Sequence, residues 1–169
     1  LMPIIETARG QDAVRAIAQA GTRIKRLSFG AGDYTKDLGM EWSLSEHELA
    51  SMRAEMVVAS RLGELEPPVD TVFIHIKEDE AFRVSCKLVR DLGFQGKLCI
   101  HPGQISTANA AFTPTEEQLA FAKKVIDAFV EAEAAGSASI QIDGYFVDYP
   151  IVDKARRIVD IAEAIARAE

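Results

Sequence analysis

Glu6, Asp33 and His101 each stand where a short apolar run gives way to polar sequence, and Asp148 stands just before Tyr149-Pro150, where a helical pattern opens. In parallel strand–helix architectures, reactive side chains collect at the C-terminal ends of strands. Glu6 closes the run 2–6. Asp33 follows the run 26–30 in Phe29-Gly30-Ala31-Gly32-Asp33-Tyr34, whose glycines let backbone amides approach a small anion. Two carboxylates converging from neighbouring strand ends make a hard oxygen site suited to Mg²⁺, which binds through one or two carboxylates and completes its shell with water and substrate oxygens. A chelating 2-oxo or 3-hydroxy acid would supply those oxygens. On spacing alone, an equally good account has Glu6 capping the next helix and Asp33 making a turn.

His101 ends the run 97–100 in Ile100-His101-Pro102, a segment that would leave main-chain groups in the mouth of a barrel. A lone histidine is more often a hydrogen-bonded structural residue than a base. His75 and His47 carry still less functional signal, and Lys77-Glu78-Asp79-Glu80 reads as a solvated helix start favoured by the helix dipole. By its position alone Asp148 is an ordinary loop acid. Cys86 and Cys99 read as buried reduced thiols with no chemical role.

The elements that would position these residues are apolar runs alternating with helices, the pattern of βα units on a parallel sheet. A helix over residues 11–20 follows the first run, with Ala13, Val14, Ile17 and Ala18 on one face and Gly21 at its end. After the second run, a loop through Asp33 and Gly39 leads to Ser45 and Glu48, spaced as a capping box for a helix ending near Leu62, with Leu49, Met52, Met56 and Ala59 as its buried stripe. A third run over residues 71–76, a helix over 79–92 ended by Gly93, and the fourth run follow. Beyond Pro102 the period breaks. Thr113-Pro114-Thr115 opens a long helix closed by Gly136, the alternating segment 139–147 turns at Asp143-Gly144, and Pro150 starts a last helix with Ile151, Val152, Ala155, Ile158, Val159 and Ala162 on its apolar side. This divides the chain at residues 1–112 and 113–169. Four βα units leave two sheet edges and an apolar inner face uncovered, so the first segment reads as half of a (β/α)₈ barrel whose N-terminal half lies outside this sequence. The simpler alternative is a compact four-stranded α/β sandwich.

Composition excludes other classes. The net charge of −7 and the absence of a Lys/Arg block disfavour nucleic acid, and no apolar stretch approaches the roughly 20 residues that cross a bilayer. The start lacks a signal-peptide n-region, so the expectation is a soluble cytoplasmic protein with no membrane partner.

Four ordered segments carry a resemblance: Pro3-Ile4-Ile5-Glu6-Thr7-Ala8-Arg9-Gly10; Phe29-Gly30-Ala31-Gly32-Asp33-Tyr34-Thr35-Lys36-Asp37-Leu38-Gly39; Gly93-Phe94-Gln95-Gly96-Lys97-Leu98-Cys99-Ile100-His101-Pro102; and Phe146-Val147-Asp148-Tyr149-Pro150. Together they resemble the citrate lyase beta-subunit-like family, which groups with malyl-coenzyme A lyases in the HpcH/HpaI aldolase superfamily. The resemblance implies a Mg²⁺-binding TIM barrel with a C-terminal helical lid, of which residues 1–112 would be the last four βα units. It implies that Glu6 and Asp33 are the metal ligands, that Glu6, Gly30, Ala31, Gly32 and Asp33 hold the 2-oxo acid, that Ile100, His101 and Pro102 line the coenzyme A thioester, and that Asp148 is the acid a lid supplies to a neighbouring protomer. Gly32 and His75 depart from the family, where acids are common. The implied activity is carbon–carbon lyase chemistry: cleavage or formation of a 3-hydroxyacyl-coenzyme A such as malyl- or citramalyl-coenzyme A, or of a citryl thioester, to an acetyl thioester and a 2-oxo acid. A homo-oligomer, a trimer or a multiple of three, is expected with it. The alternatives are a Mg²⁺-dependent 2-oxo acid aldolase without coenzyme A and a non-catalytic coenzyme A-binding subunit.

Overall fold

A computed structural model describes residues 1–21 and 23–168, and the chain folds as two compact units, Leu1–Phe112 and Thr113–Glu169. In the first, β1 (Ile4–Ile5), β2 (Ser28–Phe29), β3 (Val69–Asp70) and β4 (Gly96–Lys97) form a parallel sheet in sequential order, with Ile5 opposite Phe29 and Asp70 opposite Lys97. Alternation sorts the faces: Ile5 is buried under the helices, while Met2 and Ile4, three and one residues before it in the same run, stay exposed. The helix-side core gathers Ile5, Val14, Phe29, Tyr34, Leu49, Met52, Met56 and Val89. Complete burial of side chains such as Phe29, Met52 and Met56 stabilises by about 2 kcal/mol each.

Helix α4 (Ala50–Leu62) carries the expected stripe, and α5 (Asp79–Leu92) ends at Gly93 in the left-handed region. Other expectations are corrected. The first helix begins earlier and breaks at Ala13 into α1 (Ala8–Asp12) and α2 (Val14–Ala18), because Thr7, not Glu6, is its cap and accepts from the Gly10 amide. The expected loop after Gly30 is helix α3 (Ala31–Leu38), where weak propensity is overridden by tertiary ties: Tyr34 packs edge-on to Phe29 and Asp37 accepts from the Ala8 amide at 2.8 Å. Ser45 caps nothing. Its hydroxyl meets His47, Glu48 accepts from Ser43, and a short 3₁₀ turn (His47–Leu49) precedes α4. The third strand lies at Val69–Asp70 rather than 71–76, since the Leu98 amide makes the last ladder bond to Asp70 and side chains interpose beyond it. A second 3₁₀ turn (Pro102–Gln104) and α6 (Ile105–Phe112) were not expected.

In the second unit, α7 (Glu116–Ala134) starts with a reciprocal capping box between Thr115 and Gln118. Strands β5 (Ile140–Ile142) and β6 (Tyr145–Val147) pair antiparallel through Asp143 and Gly144, both at positive φ, as a two-residue hairpin turn requires. Helix α8 (Tyr149–Ala166) follows, and Ala122, Val125, Phe129, Ile142, Val147, Val152 and Ala155 form the unit's core. Among the described residues, no helix is long and apolar enough to cross a membrane.

Candidate active site

Glu6 directly follows β1 and is half-buried; Gly30 directly follows β2, its amide donating to the Ile5 carbonyl at 3.0 Å. The two positions touch. A Cβ at residue 30 would lie 2.6 Å from Glu6 Oε2 and 2.7 Å from Glu6 Cβ, so only glycine leaves the carboxylate its place against the β2–α3 junction. Asp33 stands exposed in the first turn of α3. That helix is fastened to α1 by the Asp37–Ala8 bond and by Tyr34, whose hydroxyl donates to Gln11 at 2.8 Å, so the segment carrying Asp33 is fixed relative to the one following Glu6.

The amides at this junction divide unequally. Gly30 uses its own in the ladder, and that of Ala31 donates to the buried Thr71 hydroxyl at 2.9 Å. The amides of Gly32 and Asp33 have no partner among the described residues. These two orphan donors at a helix start, where the dipole favours negative charge, can receive a carboxylate. The Glu6 and Asp33 side chains likewise make no hydrogen bond or ion pair with any described residue. No group of three or more His, Cys, Asp or Glu among the described residues is arranged to hold a metal ion. Two free carboxylates nevertheless match what Mg²⁺ asks of a protein, the remaining oxygens coming from water and ligand.

At the end of β4, Ile100, His101 and Pro102 are exposed. His101 Nδ1 accepts from the Gly103 amide at 3.1 Å, which leaves the ring proton on Nε2 and makes the histidine the cap of the 3₁₀ turn. Asp148 occupies the N-cap position of α8 with extended backbone and is half-buried, yet its carboxylate forms no capping bond and no ion pair with any described residue. An acid at an N-cap that does not cap is available for other work.

Sequence reasoning missed the charged cluster behind the sheet. Arg53 Nη2 donates to Asp70 at 2.9 Å and to Glu46 at 2.8 Å, Lys97 donates to Asp70, and Ser85 to Glu46, all from fully or almost fully buried side chains. Burial opposes the guanidinium charge, but the Asp70 and Glu46 carboxylates outweigh it and raise the Arg53 pKa. The available signal was a cation inside the apolar stripe of α4. Nearby, burial pushes the Cys86 thiol up to about 11, against the opposing pull of Lys97. A cavity of about 430 Å³ between α5 and α6, lined by Arg83, Lys87, Arg90, Ser106 and Thr107, contains none of the expected site residues.

The chain is similar to several known proteins. The chain is 32% identical over 169 residues to citrate lyase subunit beta of Haemophilus influenzae, covering 100% of this chain and 58% of that protein. It is 34% identical to the (3S)-malyl-CoA thioesterase of Cereibacter sphaeroides, covering 98% of this chain and 58% of the relative. It thus spans a little over half the length of these curated relatives. The crystal structure of the CitE protein of Mycobacterium tuberculosis with magnesium, acetoacetate and coenzyme A superposes with a TM-score of 0.78 at 25% identity, over 95% of this chain and 60% of that one. The family model for HpcH/HpaI aldolase/citrate lyase matches residues 1–102, the stretch that holds Glu6, Asp33 and His101, and the chain belongs to that family.

Proposed function

We propose that this chain carries the acid-binding and thioester-binding strand ends of a Mg²⁺-dependent carbon–carbon lyase that cleaves or forms a 3-hydroxyacyl-coenzyme A, with acetyl-coenzyme A and a 2-oxo acid as the other side of the equilibrium. The observation that carries this reading is the contact of Glu6 with Gly30, which sets an unpartnered carboxylate against a helix start bearing Asp33 and two orphan amides. Glu6 and Asp33 would hold the ion. When bound, Mg²⁺ acts as a Lewis acid on the carboxylate and on the carbonyl or alkoxide oxygen of the acid partner. The Gly32 and Asp33 amides orient that carboxylate, and Ile100, His101 and Pro102 flank the thioester. Asp148 moves the proton at the thioester α-carbon: in cleavage it returns a proton to the enolate carbon, and in condensation it removes one.

On this reading residues 1–112 are the last four units of a (β/α)₈ barrel and residues 113–169 its lid, with Asp148 reaching a neighbouring protomer in a trimer or a multiple of three. The outward-facing Tyr145 and Phe146, each 67% exposed on β6, are the kind of aromatic surface that subunit contact buries. The Cereibacter relative, whose name is that of a thioesterase, favours a second reading, hydrolysis of the thioester. Product analysis separates them. The lyase yields one acetyl-coenzyme A and one 2-oxo acid per malyl- or citramalyl-coenzyme A consumed. The hydrolase yields free coenzyme A and the hydroxy acid, and a coenzyme A-independent aldolase leaves the thioesters untouched.

A further inference from the structure

Past Asp70 and Leu98 the third and fourth strands stop exchanging backbone hydrogen bonds, and a single side chain takes the place of the ladder. Gln104, 4% exposed in the 3₁₀ turn, donates from Nε2 to the Phe73 carbonyl at 2.9 Å and accepts from the Ile100 amide at Oε1 at 3.0 Å. Its own amide donates to the His101 carbonyl at 3.0 Å. The side-chain amide thus acts as a peptide group inserted between two strand ends. It satisfies one buried acceptor and one donor that would otherwise need water or each other, while holding the chains apart by its own width. The neighbouring seam between the second and third strands is closed differently, by the Thr71 hydroxyl on the Ala31 amide. Among the described residues the Gln104 side chain makes no hydrogen bond to the acid end of the site, its partners being Phe73 and Ile100.

We infer that Gln104 is a positioning residue for the thioester end: it fixes Ile100 and His101, and so sets affinity for an acyl-coenzyme A without altering the Glu6–Asp33 end. The consequence for affinity rests on the lyase reading; the clamp itself does not. Gln104→Met keeps the length and loses both bonds. Gln104→Glu can still accept from Ile100 but, as a carboxylate, cannot donate to Phe73.

Two measurements on the protein as its gene encodes it decide the matter. The first is amide hydrogen exchange. In the wild type the Ile100 amide exchanges about tenfold or more slower than that of His101, which has no partner among the described residues, and Gln104→Met removes this protection while leaving Ala31 protected. Equal exchange at Ile100 and His101 in the wild type, a result that needs no variant to fold, overturns the clamp. The second is calorimetric titration with acetyl-coenzyme A and, separately, with MgCl₂ and pyruvate. Gln104→Met weakens acetyl-coenzyme A binding about tenfold, as loss of two neutral hydrogen bonds implies, with Mg²⁺ and pyruvate affinities within about twofold of wild type. Gln104→Glu shows the same split. Equal weakening of both ends marks a merely structural residue and overturns the positioning role, as does unchanged acetyl-coenzyme A affinity. If the wild type itself does not bind acetyl-coenzyme A, the thioester reading falls, and Ile100 exchange alone decides the clamp.

Discussion

Glu46 and Asp70 are buried and paired, whereas the carboxylates of Glu6, Asp33 and Asp148 have no partner among the described residues. The two groups answer to different tests. Removing one member of the buried cluster strands the others in a low-dielectric interior, so Arg53→Met should lower the unfolding free energy by about 3–5 kcal/mol, read as a shift of the urea midpoint. A shift below about 1 kcal/mol would mean that the cluster is hydrated. Gly30→Ala acts on the site as well as on stability. The added methyl would lie 2.6 Å from Glu6 Oε2, 2.7 Å from Glu6 Cβ and 2.9 Å from Ile4 Cγ2, so the carboxylate and the end of β1 must both shift; Mg²⁺-dependent turnover should drop about 100-fold, and the thermal midpoint should fall with it. The acids were singled out in the sequence because they end apolar runs or precede a helical pattern and recur in the family segments. Thr71 and Gln104 were not: a threonine inside an apolar run and a glutamine after Pro102-Gly103 have no periodicity that reveals what their side chains touch.

Of the elements whose apolar faces repeat at helical spacing, α5 matched both expected ends and α4 its C-terminal end alone, and the Asp143-Gly144 turn fell where its positive φ values demand. Helix α3 escaped detection because Gly32, Asp33 and Thr35 are turn formers by propensity, and its stability comes from Tyr34 on Phe29 and Asp37 on α1, contacts that no local window contains. The third strand was placed too late because residues 71–76 are more apolar than Val69–Asp70, yet strand pairing is decided by the partner's register and by the charged pairs of Asp70. Helix α5 also carries a pH-dependent term. The folded state holds the Cys86 thiol neutral up to about pH 11, while the unfolded thiol ionises near its ordinary value of 9.0. The stabilisation is therefore fully present below pH 9.0 and is lost as pH rises from there toward about 11. Across that window the wild type should lose stability relative to Cys86→Ala by at most about 1.4 kcal/mol per pH unit in urea titrations. A constant difference would contradict the burial of the thiol.

At the scale of the molecule, the proposed lid acid and the proposed metal ligands lie in different units, Asp148 in the second and Glu6 with Asp33 in the first. If Asp148 serves a neighbour, two inactive variants complement each other: Asp148→Asn mixed with Glu6→Gln should regain activity once subunits exchange, because some sites then contain both acids. Verified exchange without recovery would place Asp148 in its own protomer's site or outside catalysis. The central claim, that Glu6 and Asp33 serve a carbon–carbon cleavage in which a proton is delivered to the thioester α-carbon, is tested most directly by turnover of malyl- or citramalyl-coenzyme A in D₂O with MgCl₂. The account predicts acetyl-coenzyme A carrying one deuterium in its methyl group together with an equal amount of 2-oxo acid, and loss of both products with EDTA or in Glu6→Gln. Release of free coenzyme A with unlabelled hydroxy acid, or undiminished cleavage by Glu6→Gln, would contradict it.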